Sequence, residues 1–143
     1  MPYEFLDDIA TADVAFRASG RTQAEMFCAA ADAVLNVMLA DTAELECRIG
    51  RVIRLEAEDL EILLFQYLQE LIFLKDARRL LLHVSVVDIE QGQRGYKLEA
   101  KARGDVIDPE RHHLHVDIKA VTLHEFCVRQ TDTGWEATVV LDI

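Results

Sequence analysis

One stretch limits the architecture more than any other. From Glu58 to Lys75 the chain reads EDLEILLFQYLQELIFLK, in which Leu60, Leu63, Leu64, Tyr67, Leu68, Leu71 and Ile72 return at steps of three and four. Side chains so spaced share one face of an α-helix, so the stretch predicts a helix whose apolar stripe has to be buried against another layer. Glu58, Asp59 and Glu61 at its start and Lys75 at its end complement the helix dipole. A second helix is predicted over residues 22–39, TQAEMFCAAADAVLNVML. Thr22 followed by Glu25 is the pattern in which each side chain caps the other's backbone N–H. Phe27, Ala30, Val34, Val37 and Met38 form its stripe, with Asp32 and Asn36 away from the centre.

The remaining segments alternate with period two, as half-buried strands do. YKLEAKAR places Tyr96, Leu98, Ala100 and Ala102 on one face and Lys97, Glu99, Lys101 and Arg103 on the other. QGQRG before it turns the chain back from LLHVSVVDIE, so these two strands form a hairpin. DVAFRASG and RVIRLEAE read as strands near the front, an alternation runs from 113 to 129, and WEATVVLDI follows a TDTG turn. The pattern predicts an α+β fold, two helices packed on one side of a mainly antiparallel sheet. At 143 residues and 16.2 kDa, without internal repeat or linker, residues 1–143 form a single domain.

Lys and Arg number 15 against 26 Asp and Glu, for a formal charge of −11. Proteins that bind nucleic acid draw affinity from cations that displace phosphate counterions, so direct binding to bare RNA or DNA is disfavoured. An acidic surface suits solubility, metal cations or a basic protein partner. No apolar run spans a bilayer and MPYEFLDD lacks the features of a secretory signal, so a cytoplasmic protein with no membrane partner is expected. Cys28, Cys47 and Cys127 are scattered, with no C-x-x-C pair, and are expected as buried, reduced thiols.

DPERHHLHVDIKAVTLH, residues 108–124, concentrates His112, His113, His115 and His124. On a strand, neighbouring histidines point to opposite faces and cannot close a tetrahedral metal site. Leu114, Val116, Ile118 and His124 fall on a mostly apolar face, so His124 is expected as a hydrogen-bonded core residue. Pro109 sets a turn in which Asp108 bonds the backbone beyond it. Lys119 faces opposite Ile118 and Ala120, either lying along the sheet surface or pairing with a carboxylate.

Three aspartates occupy strand or helix ends. Asp13 precedes Val14 on the parity of Ala15 and Arg17. Asp41 follows the first helix at its negative end. Asp142 stands beside Ile143, whose α-carboxylate adds a second anion that would recruit a cation or a proton. If the first and last strands are neighbours, these oxygens make a site for a hard cation such as Ca2+ or Mg2+. No nucleophile and base pair, Gly-rich phosphate loop or glycine-framed serine accompanies them.

YEFL, TADVAFRASG with its Thr-led helix, EDLEILLFQYLQEL, DPERH, KAVTLH and terminal VVLDI, in that order, resemble the archease family over essentially the whole chain. Archeases are small acidic protein cofactors of the RtcB-type tRNA-splicing RNA ligase that promote its guanylylation and turnover, and the resemblance implies that non-catalytic role. It also implies a divalent cation, Ca2+ first with Mg2+ or Mn2+ as alternatives, held by Asp13, Asp142 and a terminal oxygen of Ile143. Asp41 and Lys119 match further characteristic polar positions. Where family members commonly carry a histidine ahead of Thr-Ala-Asp, this chain reads FLDDIATADV, and Asp8 is the candidate to replace the histidine's polar contact. The alternatives are a metal-dependent hydrolase using Lys119 or His115, and a chaperone-like protein-binding module.

Overall fold

Both predicted helices form in the computed structural model, which describes residues 2–6 and 13–143. The proposed role of Asp8 lies outside the described residues. In chain order the elements are β1 (Tyr3–Phe5), β2 (Val14–Gly20), α1 (Gln23–Met38), a 3-10 turn (Thr42–Glu44), β3 (Ile49–Ala57), α2 (Leu60–Arg78), β4 (Leu80–Gly92), β5 (Gly95–Val106), β6 (Ala120–Val121), β7 (Cys127–Thr131) and β8 (Gly134–Asp142).

The helix ends follow the capping chemistry of the sequence. Thr22 Oγ1 accepts from Glu25 N–H at 3.1 Å, while Glu25 Oε2 accepts from Arg21 N–H at 2.7 Å, one residue before the cap. Asp59 Oδ1 caps α2 by accepting from Ile62 N–H at 2.8 Å, and Arg79 ends it in the left-handed conformation, φ 55°. Phe27 of α1 meets Tyr67 of α2 with ring centroids 5.3 Å apart.

The fold is α+β and every strand pair is antiparallel, but the strands divide into two sheets where one was expected. One runs β1-β2-β8-β6, with β7 also paired to β8; the other runs β3-β5-β4. Helix α1 packs against β2 and β8 of the first sheet and β4 of the second. It therefore buries more than the predicted stripe: Ala29, Ala31, Ala33 and Leu35 are buried along with Phe27, Ala30, Val34, Val37 and Met38. Alanines let two layers approach one helix closely, and each larger side chain buried there contributes about 1.5–3 kcal/mol. Close approach recurs at Gly104, where an added Cβ would stand 1.7 Å from the Leu81 carbonyl oxygen.

The alternation from 113 to 129 does not form one strand. Only β6 and β7 are regular there, because the preceding segment spends its backbone on the end of α1. Ala40 N–H donates to the His113 carbonyl at 3.0 Å, His115 N–H to that of Met38 at 2.9 Å and Val116 N–H to that of Val37 at 3.0 Å. Carbonyls of a helix's last turn lack helical partners, so these bonds finish α1. Leu114 is consequently 48% exposed, and His124 lies exposed in the turn between β6 and β7 instead of in the core. The three cysteines are half-buried thiols, less covered than expected.

Candidate functional site

Strand pairing brings the start of β2 and the end of β8 together. β2 and β8 pair from Gly20 opposite Trp135 to Val14 opposite Leu141, so Asp13, the next residue outward, continues the register opposite Asp142. Residues opposite one another across antiparallel strands share a face, and the register puts Asp13 and Asp142 on the side of Ala15 and Val140. Ile143 follows directly. On the other flank β6 pairs with β8, Ala120 opposite Asp142, and Lys119 N–H donates to the Asp142 carbonyl at 2.8 Å.

The approach to Lys119 is pinned to α2. Lys75, read from the sequence only as a cation at the helix end, is buried, and its Nζ donates to Asp117 Oδ1 at 2.5 Å and to the Ile118 carbonyl at 2.7 Å. Burial depresses its pKa, but the hydrogen bonds and charges of Asp117 and Asp76 outweigh that and leave it raised. Gln69 Oε1 accepts from Val121 N–H at 2.7 Å. Lys119 itself is exposed and, among the described residues, makes no ion pair.

A groove of about 460 Å3 opens beside Asp13, lined among others by Ala15, Val37, Ala40, His115 and Val116. Asp41 is one residue from this groove, with its carboxylate occupied: Oδ1 accepts from Ala43 N–H at 3.0 Å and caps the 3-10 turn. Of the predicted set, the fold thus gathers Asp13, Asp142, Ile143 and the Lys119 backbone, and leaves Asp41 at the border in a local structural bond.

The histidines are dispersed. His112 is buried between Asp105, 3.2 Å away, and Asp108 N–H, which donates to its Nδ1 at 3.0 Å. His113 pairs with Glu44, whose carboxyl is held below its ordinary value by the His113 backbone N–H first and the ring second. His115 alone reaches the groove. Asp108 behaves as expected, its carboxylate accepting from Glu110 N–H at 3.1 Å. The lock formed by Asp105 and His112 escaped the sequence reading, because nothing periodic links residue 105 to the backbone of Glu46 and Arg48 that it binds.

The donor set fits a hard cation. Among the described residues neither Asp13 nor Asp142 has an ion-pair or side-chain hydrogen-bond partner, and no group of three or more His, Cys, Asp or Glu side chains gathers as a metal cage. Asp13 and Asp142 in register, without a partner among the described residues, give oxygen donors only, the chemistry that favours Ca2+, Mg2+ or Mn2+ over thiolate-seeking ions.

These features define a small α+β protein with an acidic end where its first and last long strands meet. A family model described as the archease protein family matches residues 3–143. Protein archease of Pyrococcus abyssi is 37% identical over 134 residues, 93% of this chain and 94% of that protein. The solution structure of Methanobacterium thermoautotrophicum protein 1598 is similar with a TM-score of 0.86 and 34% identity over 99% of each chain. The crystal structure of an archease, possible chaperone, from Thermotoga maritima shares the fold, with a TM-score of 0.65 and 18% identity over 96% of each chain. The chain belongs to the archease family. Among its described residues no helix is long and apolar enough to cross a membrane.

Proposed function

We propose that this protein is a non-catalytic activator of an RtcB-type tRNA-splicing RNA ligase, promoting guanylylation and turnover in the cytoplasm. The observation that supports it most directly is the register that sets Asp13 opposite Asp142. Asp13, Asp142 and a main-chain oxygen of Ile143 would hold the divalent ion, which when bound supplies positive charge for phosphate oxygens. The chain's own contribution is placement. Pairing of β2 with β8 fixes the two aspartates, and the backbone amide of the exposed Lys119 fixes the backbone of Asp142. The net charge of −11 favours encounter with a basic channel on the enzyme over contact with bare RNA.

The test is guanylylation of a cognate ligase with and without the purified protein. Asp13→Ala and Asp142→Ala should each abolish the stimulation while keeping the fold; full stimulation by both variants would remove the ion from the mechanism. His115 beside Asp13 in the groove is the one feature that favours a hydrolase instead. Turnover of a phosphate ester by the isolated protein, lost with Asp142→Ala, would establish that reading.

A further inference from the structure

The outer face of α2 is not finished as a solvent surface. Ile62 and Phe73 are 44% and 55% exposed and lie on one line with Phe65 and Gln69, in steps of three and four residues. The segment after β6 follows the same line. Val121 N–H bonds Gln69, Phe65 and Phe126 meet edge-on with centroids 5.8 Å apart, and Val128 N–H donates to Glu61 Oε2 at 2.9 Å. Leu123, on the turn of that segment, is 75% exposed. The result is a stripe about 16 Å long, at 1.5 Å per helical residue from Ile62 to Phe73, in which Ile62, Phe73 and Leu123 are the exposed apolar side chains and Phe65 and Gln69 are half-buried between them.

Its border is acidic. Glu70, Asp76, Asp117 and Glu125 flank it, and Lys75 is shared between Asp76 and Asp117, so one cation faces two carboxylates. A second copy would set acidic border against acidic border at a net charge of −11 each, and an anionic lipid surface would be repelled in the same way. A complementary occupant has apolar side chains at helical spacing flanked by Lys and Arg. We propose that this stripe docks a basic amphipathic helix on the surface of the partner ligase, an inference that rests on the activator reading. The docked helix lies next to the carboxylates, since Lys75, two residues beyond Phe73, binds the Ile118 carbonyl and the adjacent Lys119 amide binds Asp142.

Ligase affinity and stimulation of guanylylation are measured for the wild-type chain, the Phe73→Ser/Leu123→Ser double variant, the Glu70→Lys/Asp117→Lys double variant and Asp13→Ala, with thermal midpoints to confirm folding. The apolar double variant should lose at least about tenfold in affinity and recover full stimulation at saturating concentration. The charge-reversed variant should also bind more weakly and lose much of its salt dependence. Asp13→Ala should show the converse, binding without stimulation. Unchanged affinity in both double variants overturns the docking face and leaves the activator reading standing. Wild-type binding without stimulation sinks that reading and leaves the docking face in place, while absence of wild-type binding overturns both. A concentration-dependent dimer of the chain alone, abolished by Phe73→Ser/Leu123→Ser, would assign the stripe to a second copy and overturn the proposal.

Discussion

Asp105 and the pair Asp13 and Asp142 are carboxylates of one chain held in opposite ways. Asp105 is 2% exposed and surrounded by donors: Glu46 N–H at 2.7 Å, Arg48 N–H at 3.2 Å, His112 Nε2 at 3.2 Å and the Arg111 guanidinium at 3.4 Å. Burial pushes its pKa up, and these donors more than reverse that, holding it below the ordinary 3.8. Asp13 and Asp142 are half-buried, face each other by register and have no such partners among the described residues. A satisfied buried charge fixes a loop to a strand and has nothing left for a ligand. Carboxylates without such donors keep their oxygens free for an added cation.

The largest effect that tests this contrast is on stability. Asp105→Ala should cost about 3 kcal/mol in urea unfolding, since it leaves two backbone N–H groups and a buried histidine without their acceptor. A loss under about 0.5 kcal/mol would mean the loop does not depend on this lock. The sign with pH follows from the depressed value. The Asp105 contribution is complete above pH 3.8 and disappears as pH falls through the lower folded value, so the variant should lack that acid-induced loss.

Next in size is the response to Ca2+. At a hundredfold excess over its dissociation constant the ion should stabilise the wild-type chain by about 2.7 kcal/mol. Asp13→Ala and Asp142→Ala should lose that response, and without the ion they should be no less stable than wild type, because neither carboxylate has a partner among the described residues to lose. A thermal midpoint that ignores Ca2+ in the wild type, or rises equally in both variants, would erase the distinction between the two regions.

How far this contrast was legible in the sequence depends on the range of the contacts involved. Helix α2 was plain, because stripe, cap and dipole all lie within one local stretch. Asp13 and Asp142 were legible as oddities at strand ends, but their meeting depends on β2 pairing with β8 across the whole chain, which no local period encodes. Helix α1 was read as burying one stripe, and the burial of Ala29, Ala31 and Ala33 outside it was not legible because it depends on two sheets meeting the same helix. The 113–129 alternation misled, because Leu114 and Val116 keep a strand-like pattern while the N–H groups of His115 and Val116 bond the end of α1. The roles of His112 and His113 were not legible for a related reason: they serve Asp105 and Glu44, partners remote in sequence.

Lys75 gives the smallest effect and links the two regions, being a satisfied buried charge that acts on the approach to the unsatisfied pair. Its side chain is 7% exposed, and Lys75→Met keeps the stem while removing the donor to the Ile118 carbonyl. The loss of that bond should cost about 1–2 kcal/mol, measured at neutral pH. Because the folded pKa of Lys75 is raised, its contribution is complete below the ordinary 10.5 and vanishes as pH climbs through the folded value, so the gap between wild type and variant should close at strongly alkaline pH. The variant should also need more Ca2+ for a given rise in midpoint, since residues 117 and 118 no longer hold Lys119 and its amide bond to Asp142 in place. If Ca2+ acts on Lys75→Met as it does on wild type, β8 alone positions the carboxylates and the α2 anchor has no part in the site.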